Sequence, residues 1–178
     1  MKKIIAFAGS NSSTSINHKL IEFVVSQIEE LPVRVIRLTD FELPMYGEDI
    51  EKEQGFSPNL RNLNEEISGV DALIISVNEH NSGVSAFYKN TMDWLSRLDR
   101  DFLKEKKVFV MATSPGGRGA ISALEFTKNS LARTGAEVVS SFSLPKFYDN
   151  FSEDENRITD NALELIFNDA LQNFLRQV

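Results

Sequence analysis

Five short apolar runs alternate with helical patterns along the 178 residues, and this alternation restricts the fold more than any other feature of the chain. The runs are rich in Ile and Val and nearly continuous, which is typical of strands buried on both faces of a parallel sheet. Parallel strands need right-handed crossovers, and the crossing helices cover both faces of the sheet. The predicted strands are residues 3–8, 33–38, 72–77, 107–113 and 137–142.

The segments between these runs repeat apolar residues every three or four positions, the period of one helix face. We predict an α/β fold, with a single doubly wound five-stranded parallel sheet in the order 2-1-3-4-5 and helices on both faces, which is the flavodoxin-like arrangement. No repeat or long linker divides the sequence, so residues 1–178 are expected to form a single domain. The predicted helices are residues 16–31, 60–67, 84–98, 121–132 and 163–178.

Composition narrows the partners of such a domain. A formal net charge of −7 argues against nucleic acid or an anionic membrane as the main partner. The sequence has no cysteine and two histidines, so no metal site is predicted and a reducing compartment is favoured. Its first residues show no signal-peptide pattern, and no apolar run approaches the roughly 18 residues of a membrane helix. A cytoplasmic location is therefore expected.

Ligands of doubly wound sheets bind outside the carboxyl ends of the strands. The loop after the first strand, GSNSSTSIN, includes Ser10 and Ser12 and places Ser15 as the N-cap of a helix that begins at Ile16, with Asn17 in its first turn. These hydroxyls and the unpaired N–H groups of the first turn favour a phosphate. The alternative is an ordinary serine-rich loop with a good cap. No P-loop or dinucleotide glycine motif is present.

Two later loops reach the same edge of the predicted sheet. A polar corner, Asn78 to Gly83, follows the third strand, and the ring of His80 beside Gly83 would suit contact with a planar ligand. The sequence SPGGRG follows the fourth strand, and its glycines allow the main chain to approach a ligand closely. The alternative for the polar corner is a solvated loop, and the alternative for the glycine-rich segment is a tight turn. The acidic residues 48–53, after the second strand, are predicted to be a solvated face.

Together these loops resemble the NADPH-dependent FMN reductase family. The family's Gly-Ser-x-Arg-x-x-Ser-x-Asn loop is matched by Gly9, Ser10, Ser15 and Asn17 at the same spacing. Its Pro-Glu-Tyr-Asn motif corresponds to the Asn-Glu-His-Asn of residues 78–81, and its later Lys-Asn and Asp-Trp pairs are intact. Its Ser-Pro-Gly motif is matched from Ser114 onward. The chain departs from the family at Ser12, Asn78 and His80, where the family has arginine, proline and tyrosine.

The resemblance implies an FMN-dependent oxidoreductase that passes a hydride from NAD(P)H to FMN and on to a quinone, a flavin or a similar small acceptor. One alternative is an FMN-binding electron carrier or redox-responsive interaction protein with little NAD(P)H turnover. Another is a doubly wound domain that binds a phosphate-containing ligand but no flavin. No catalytic side chain is predicted, because the cofactor carries the chemistry. The predicted cofactor-binding residues are Ser10, Ser12, Ser15, Ile16, Asn17, Asn78, Glu79, His80, Asn81, Ser114, Gly116 and Gly117.

The helix over residues 84–98 also predicts self-association. It offers apolar residues on two faces together with Asp93, Trp94 and Arg97, whereas a helix of a doubly wound domain normally buries one face. We expect a homo-oligomer, a dimer or a tetramer, through this helix, as the resemblance also implies.

Overall fold

A five-stranded parallel sheet forms the centre of the computed structural model, which describes residues 2–178. Its strand order is β2-β1-β3-β6-β7. When only the five strands of this sheet are numbered, this is the predicted order 2-1-3-4-5, and the predicted fold class is confirmed. The first and third strands along the chain pair in regular register, from Ile4 opposite Ala72 to Ala8 opposite Ser76. The strands of the sheet are β1 (Ile4–Ala8), β2 (Val33–Val35), β3 (Ala72–Val77), β6 (Lys107–Thr113) and β7 (Glu137–Leu144).

Helices cover both faces of the sheet because alternate strand residues point to opposite sides. The first and last helices cover one face with Leu20, Phe23, Phe167 and Phe174. Three other helices cover the second face, where Trp94 is among the buried side chains. The helices are α1 (Ile16–Ser26), α2 (Glu48–Gln54), α3 (Pro58–Ser68), α4 (Ala86–Leu98), α5 (Ile121–Leu131), α6 (Phe147–Asn150) and α7 (Asn161–Gln177).

Some boundaries differ from the predicted ones. The second strand pairs only over residues 33–35, because a 3-10 turn begins at Leu38. The first helix ends at Ser26, although the apolar pattern continues to Leu31. The acidic segment that was predicted only as a solvated face forms α2, none of whose side chains is buried. Acidic residues in the first turn of α2 complement the positive end of the helix dipole.

Two short hairpins lie outside the sheet. β4 (Glu79–His80) pairs antiparallel with β5 (Gly83–Val84), directly after the third strand of the sheet. β8 (Phe151–Ser152) pairs with β9 (Arg157–Ile158) before the last helix. Neither hairpin was predicted, since runs of two residues carry no periodic signal.

No helix within residues 2–178 has the length and apolarity to cross a membrane. Over the same residues, no group of three or more His, Asp or Glu side chains is placed to hold a metal ion.

Gly119 provides a test of the loop geometry at the edge of the sheet. Its φ of +58° lies in the left-handed region, and a methyl group there would meet Ser143 and the backbone of Pro145, whose nitrogen would lie at 2.9 Å. We expect Gly119→Ala to lower the free energy of unfolding by about 2 kcal/mol. In the same loop, a methyl group on Gly116 would meet only the Ser114 hydroxyl, at 3.8 Å. Gly116→Ala should therefore change stability by less than about 0.5 kcal/mol in urea unfolding. Equal losses for the two variants would contradict this conformation of the loop.

Candidate functional site

The loop after β1 is shaped by its own hydroxyl groups. The N–H of Ser12 donates to the Ser10 hydroxyl at 3.2 Å, and the N–H of Thr14 donates to the Ser12 hydroxyl at 3.3 Å. Short side chains that bond nearby backbone stabilise turns in this way. The loop therefore curves from the end of the strand to the start of α1.

Ser15 is the N-cap of α1, as predicted. Its side chain accepts the N–H of His18 at 3.2 Å, which leaves the Ser15 O–H free to donate. The N–H groups of Ile16 and Asn17 are in the first turn and have no acceptor inside the helix. The loop thus combines hydroxyl donors with the positive end of a helix, the arrangement that favours an anion.

Asn17 is 2% exposed and joins α1 to two strands. Its side-chain oxygen accepts the Ser76 hydroxyl at 2.8 Å and the Thr113 N–H at 3.1 Å. Its nitrogen donates to the Thr113 carbonyl at 3.1 Å. Asn17 thereby fixes the first turn of α1 against the ends of β3 and β6. One side-chain N–H and the main-chain N–H of Asn17 remain for a ligand.

The β4–β5 hairpin turns on two residues in the left-handed region, Asn81 at φ 51° and Ser82 at φ 63°. Left-handed conformations at both central positions are typical of the tightest hairpin turn. In front of the turn, the side chains of Asn78 and His80 lie 3.2 Å apart in hydrogen-bonding contact. The side-chain oxygen of Asn78 is buried and has no partner within the described chain.

The carboxylate of Glu79 is used to cap a helix. It accepts the N–H of Ala123 at 3.0 Å, in the first turn of α5. This helix has no side-chain cap of its own, because Ala120 occupies the N-cap position at φ 60°. A negative charge at a helix N-terminus is favourable, so Glu79 ties the hairpin to α5.

The glycine-rich loop after β6 is bonded to the segment after β7. Lys146 donates its N–H to the Gly116 carbonyl at 3.0 Å, and Phe147 donates to the Ser114 carbonyl at 3.1 Å. These bonds bring Tyr148, which is 67% exposed, beside the loop. Arg118, in the glycine-rich loop, donates to the Ser122 hydroxyl in the first turn of α5 at 3.0 Å.

The loops after β1, β3 and β6 enclose one cavity of about 300 Å³. Most of the predicted cofactor-binding residues line it, whereas Asn81, Gly116 and Gly117 lie outside the lining. Residues that were not predicted include Tyr148, which follows the fifth strand of the sheet at the same edge. Its place after the carboxyl end of a strand could have indicated a contact with the ligand. The lining consists of Ser10, Asn11, Ser12, Thr14, Ser15, Ile16, Asn17, Asn78, Glu79, His80, Thr113, Ser114, Pro115 and Tyr148.

Little fixed charge lies at this cavity. Among residues 2–178 no lysine or arginine lines it, and Glu79 is the one acidic residue in the lining. Just behind the loop, burial of the imidazole lowers the pKa of His18, and the Arg37 guanidinium acts in the same direction while Glu22 opposes it. His18 is therefore neutral near pH 7.

This arrangement suits a phosphate joined to a planar group. Hydroxyls and first-turn N–H groups at one end donate to an anion without a cation. The other end offers the hairpin, the exposed ring of Tyr148 and the loop at Ser114. The unpaired oxygen of Asn78 adds an acceptor that needs a donor, since an unmet buried oxygen is costly.

The family model described as NADPH-dependent FMN reductase matches residues 2–149 of the chain. An uncharacterized protein of Mycoplasma pneumoniae is 30% identical over 147 residues, which is 80% of this chain and 86% of that protein. A quinone reductase of Escherichia coli strain K12 is 36% identical over 75 residues, covering 42% of this chain and 40% of that protein.

A solved structure shares the whole fold. The flavoenzyme NAD(P)H:(acceptor) oxidoreductase FerB of Paracoccus denitrificans superposes with a TM-score of 0.73 at 25% identity. The superposition covers 99% of this chain and 99% of that chain.

The three hydrogen bonds of the Asn17 side chain provide a test of how the site is held. Asn17→Ala leaves buried groups of Ser76 and Thr113 without partners, each at a cost of about 1 to 3 kcal/mol. We expect the free energy of unfolding to fall by at least about 3 kcal/mol in urea titration. Asn168→Ala, on the exposed surface of α7, is the matched control and should change it by less than about 0.5 kcal/mol. A small effect at Asn17 would show that the strand ends do not depend on it.

Proposed function

This chain belongs to the NADPH-dependent FMN reductase family, and from that premise we propose that FMN binds in the cavity between the loops after β1, β3 and β6. Family membership confirms the predicted class of enzyme, an oxidoreductase that uses FMN and NAD(P)H. Residues 1–178 are proposed to act as one FMN-binding domain. The acceptor is proposed to be a quinone or a similar small molecule, in keeping with relatives named as quinone reductases.

The observation that carries this proposal is the convergence of three loops, distant in sequence, on one cavity. The serine-rich loop and the start of α1 are proposed to hold the phosphate of FMN through Ser10, Ser12, Ser15, Ile16 and Asn17. Each hydrogen bond from a neutral donor to a charged group contributes about 1.5 to 3 kcal/mol, so several converging donors suffice.

The hairpin and the glycine-rich loop are proposed to hold the flavin ring. Support comes from Asn78, whose buried side-chain oxygen has no partner in the described chain, and from the contact between the Asn78 and His80 side chains. The carboxylate of Glu79 is committed to α5, so this residue is proposed to contact the ring through its main chain. Asn81, Gly116 and Gly117 remain predicted contacts on the same two loops.

FMN held there would supply the redox chemistry of the family, hydride acceptance from NAD(P)H and two-electron transfer to the acceptor. The side chains of the site hold and orient the cofactor and limit the access of water. The hydride step itself needs no acid or base, so no catalytic side chain is proposed. The cytoplasm is the proposed location, supported by the absence of cysteine from the sequence.

The visible spectrum of the purified protein tests FMN binding. We expect a yellow protein with one FMN per chain, or uptake of added FMN with quenching of its fluorescence. Addition of NADPH with a soluble quinone should then give steady NADPH oxidation. Bound FMN without NADPH oxidation would identify an electron carrier instead, and no binding of FMN would refute the proposed function.

Gly117→Val tests whether the ring extends over the glycine-rich loop. In the protein alone, a Cβ on Gly117 meets only the Lys146 side chain, at 3.8 Å, so the free energy of unfolding without FMN should be unchanged. We expect FMN binding to weaken at least about tenfold, or about 1.4 kcal/mol. Unchanged binding with unchanged stability would place the ring elsewhere.

We also propose that two copies of the chain associate along α4. Trp94 does not contribute, because it is 2% exposed and donates to the Pro44 carbonyl at 2.8 Å within the chain. Asp93 and Arg97 pair with Lys89 and Glu51. A groove of about 680 Å³ between α4 and α5 supports the proposal, with Met92, Phe102, Phe126 and Leu131 among its apolar lining.

Phe126 is 43% exposed at this groove and provides the test. Light scattering at micromolar concentration should give the mass of two chains, and Phe126→Glu should give the mass of one. Leu165→Glu removes an exposed apolar residue from α7 and should leave the dimer intact. A wild-type protein with the mass of one chain would contradict self-association, and a dimer insensitive to Phe126→Glu would contradict this surface.

A further inference from the structure

A second, smaller cavity lies behind the serine-rich loop. Its volume is about 160 Å³, and it shares Ser10, Asn11 and Ser12 with the candidate site. These three residues therefore form a thin wall with the candidate site on one side and the second cavity on the other. The remaining lining of the second cavity is Ala8, Ser13, His18, Arg37, Leu38 and Thr39.

Arg37 places a positive charge behind this wall. It follows β2, its side chain is exposed, and its guanidinium has no ion pair or hydrogen bond within residues 2–178. The other arginine of this segment, Arg34, is committed to Glu66 at 2.7 Å. The candidate site itself is lined by no lysine or arginine of the described chain. Arg37 is thus an uncommitted cation next to a loop that otherwise offers only neutral donors.

The field of Arg37 reaches the start of α1. After burial, the Arg37 guanidinium is the second cause that lowers the pKa of His18, which lies in the first turn of that helix. The same turn contributes Ile16 and Asn17 to the candidate site. A positive potential felt at His18 also acts on an anion bound at the first-turn N–H groups, since charges interact over several ångströms.

We propose that Arg37 supplies, from behind the loop, the positive charge that balances the phosphate of bound FMN. This inference rests on the proposed function. Hydrogen-bond donation to the phosphate belongs to the loop, whereas charge compensation comes from a residue outside the cavity. Arg37 acts by electrostatics alone and does not contact the ring.

A comparison of FMN with riboflavin, which lacks the phosphate, tests this assignment. In about 20 mM salt, Arg37→Gln should weaken FMN binding about three- to tenfold. The loss should shrink in about 300 mM salt because ions screen the interaction. Riboflavin affinity should be unchanged, since it has no phosphate charge. Equal losses for FMN and riboflavin would show a structural role and overturn the proposal.

Three further measurements complete the test. Arg37→Lys keeps the charge and should retain most of the FMN affinity. Arg34→Gln removes the same charge from the same segment and should change FMN affinity less than about twofold. In the protein without FMN, Arg37→Gln should raise the pKa of His18, as followed by NMR. Equal effects of the two glutamine variants would overturn the proposal, because they would report net charge alone.

These measurements also distinguish failure of the proposed FMN binding from failure of the proposed role of Arg37. A wild-type protein that binds no FMN would refute the proposed function. If the wild-type protein binds FMN and Arg37→Gln binds it with the same affinity, only the role assigned to Arg37 is refuted.

Discussion

The side-chain amide of Asn17 is the interaction on which the candidate site depends. It bonds the Ser76 hydroxyl at the end of β3 and both main-chain groups of Thr113 at the end of β6. Because these groups are buried, each would be costly to leave unpaired. The start of α1 is therefore held in one position relative to two strands. The hairpin and the glycine-rich loop follow those strands, so their positions relative to α1 are fixed as well.

At the candidate site, the hydrogen-bond donors and the nearby positive charge belong to different residues. Most polar groups that line the cavity are hydroxyls and amides, and Glu79, its one carboxylate within residues 2–178, accepts an N–H from the first turn of α5. An acidic chain of net charge −7 can offer an anion site in this way without burying a cation. Nearby positive charge lies outside the cavity, at Arg37.

Such a site matches the chemistry of the family to which the chain belongs. A flavin carries the redox reaction, so the protein needs a rigid seat more than reactive side chains. The proposed site is stabilised by hydrogen bonds between neighbouring loops, such as those from Lys146 and Phe147 to the glycine-rich loop. The exposed groove beside α4 and α5 lies apart from this seat and serves the proposed association of two chains.

The sequence by itself determined the main helices and the Ser15 cap, because periodicity and capping are local properties of the chain. It also determined the sheet order and the loops that meet at the site, because alternating strands and helices admit few topologies. It did not determine the helix α2, the burial of Trp94 or the positions of Tyr148 and Arg37. Each of these depends on contacts between segments far apart in sequence, such as Trp94 with Pro44. Only the tertiary structure decides them, since the strand ends that bring those segments together are set by the packing of the whole sheet.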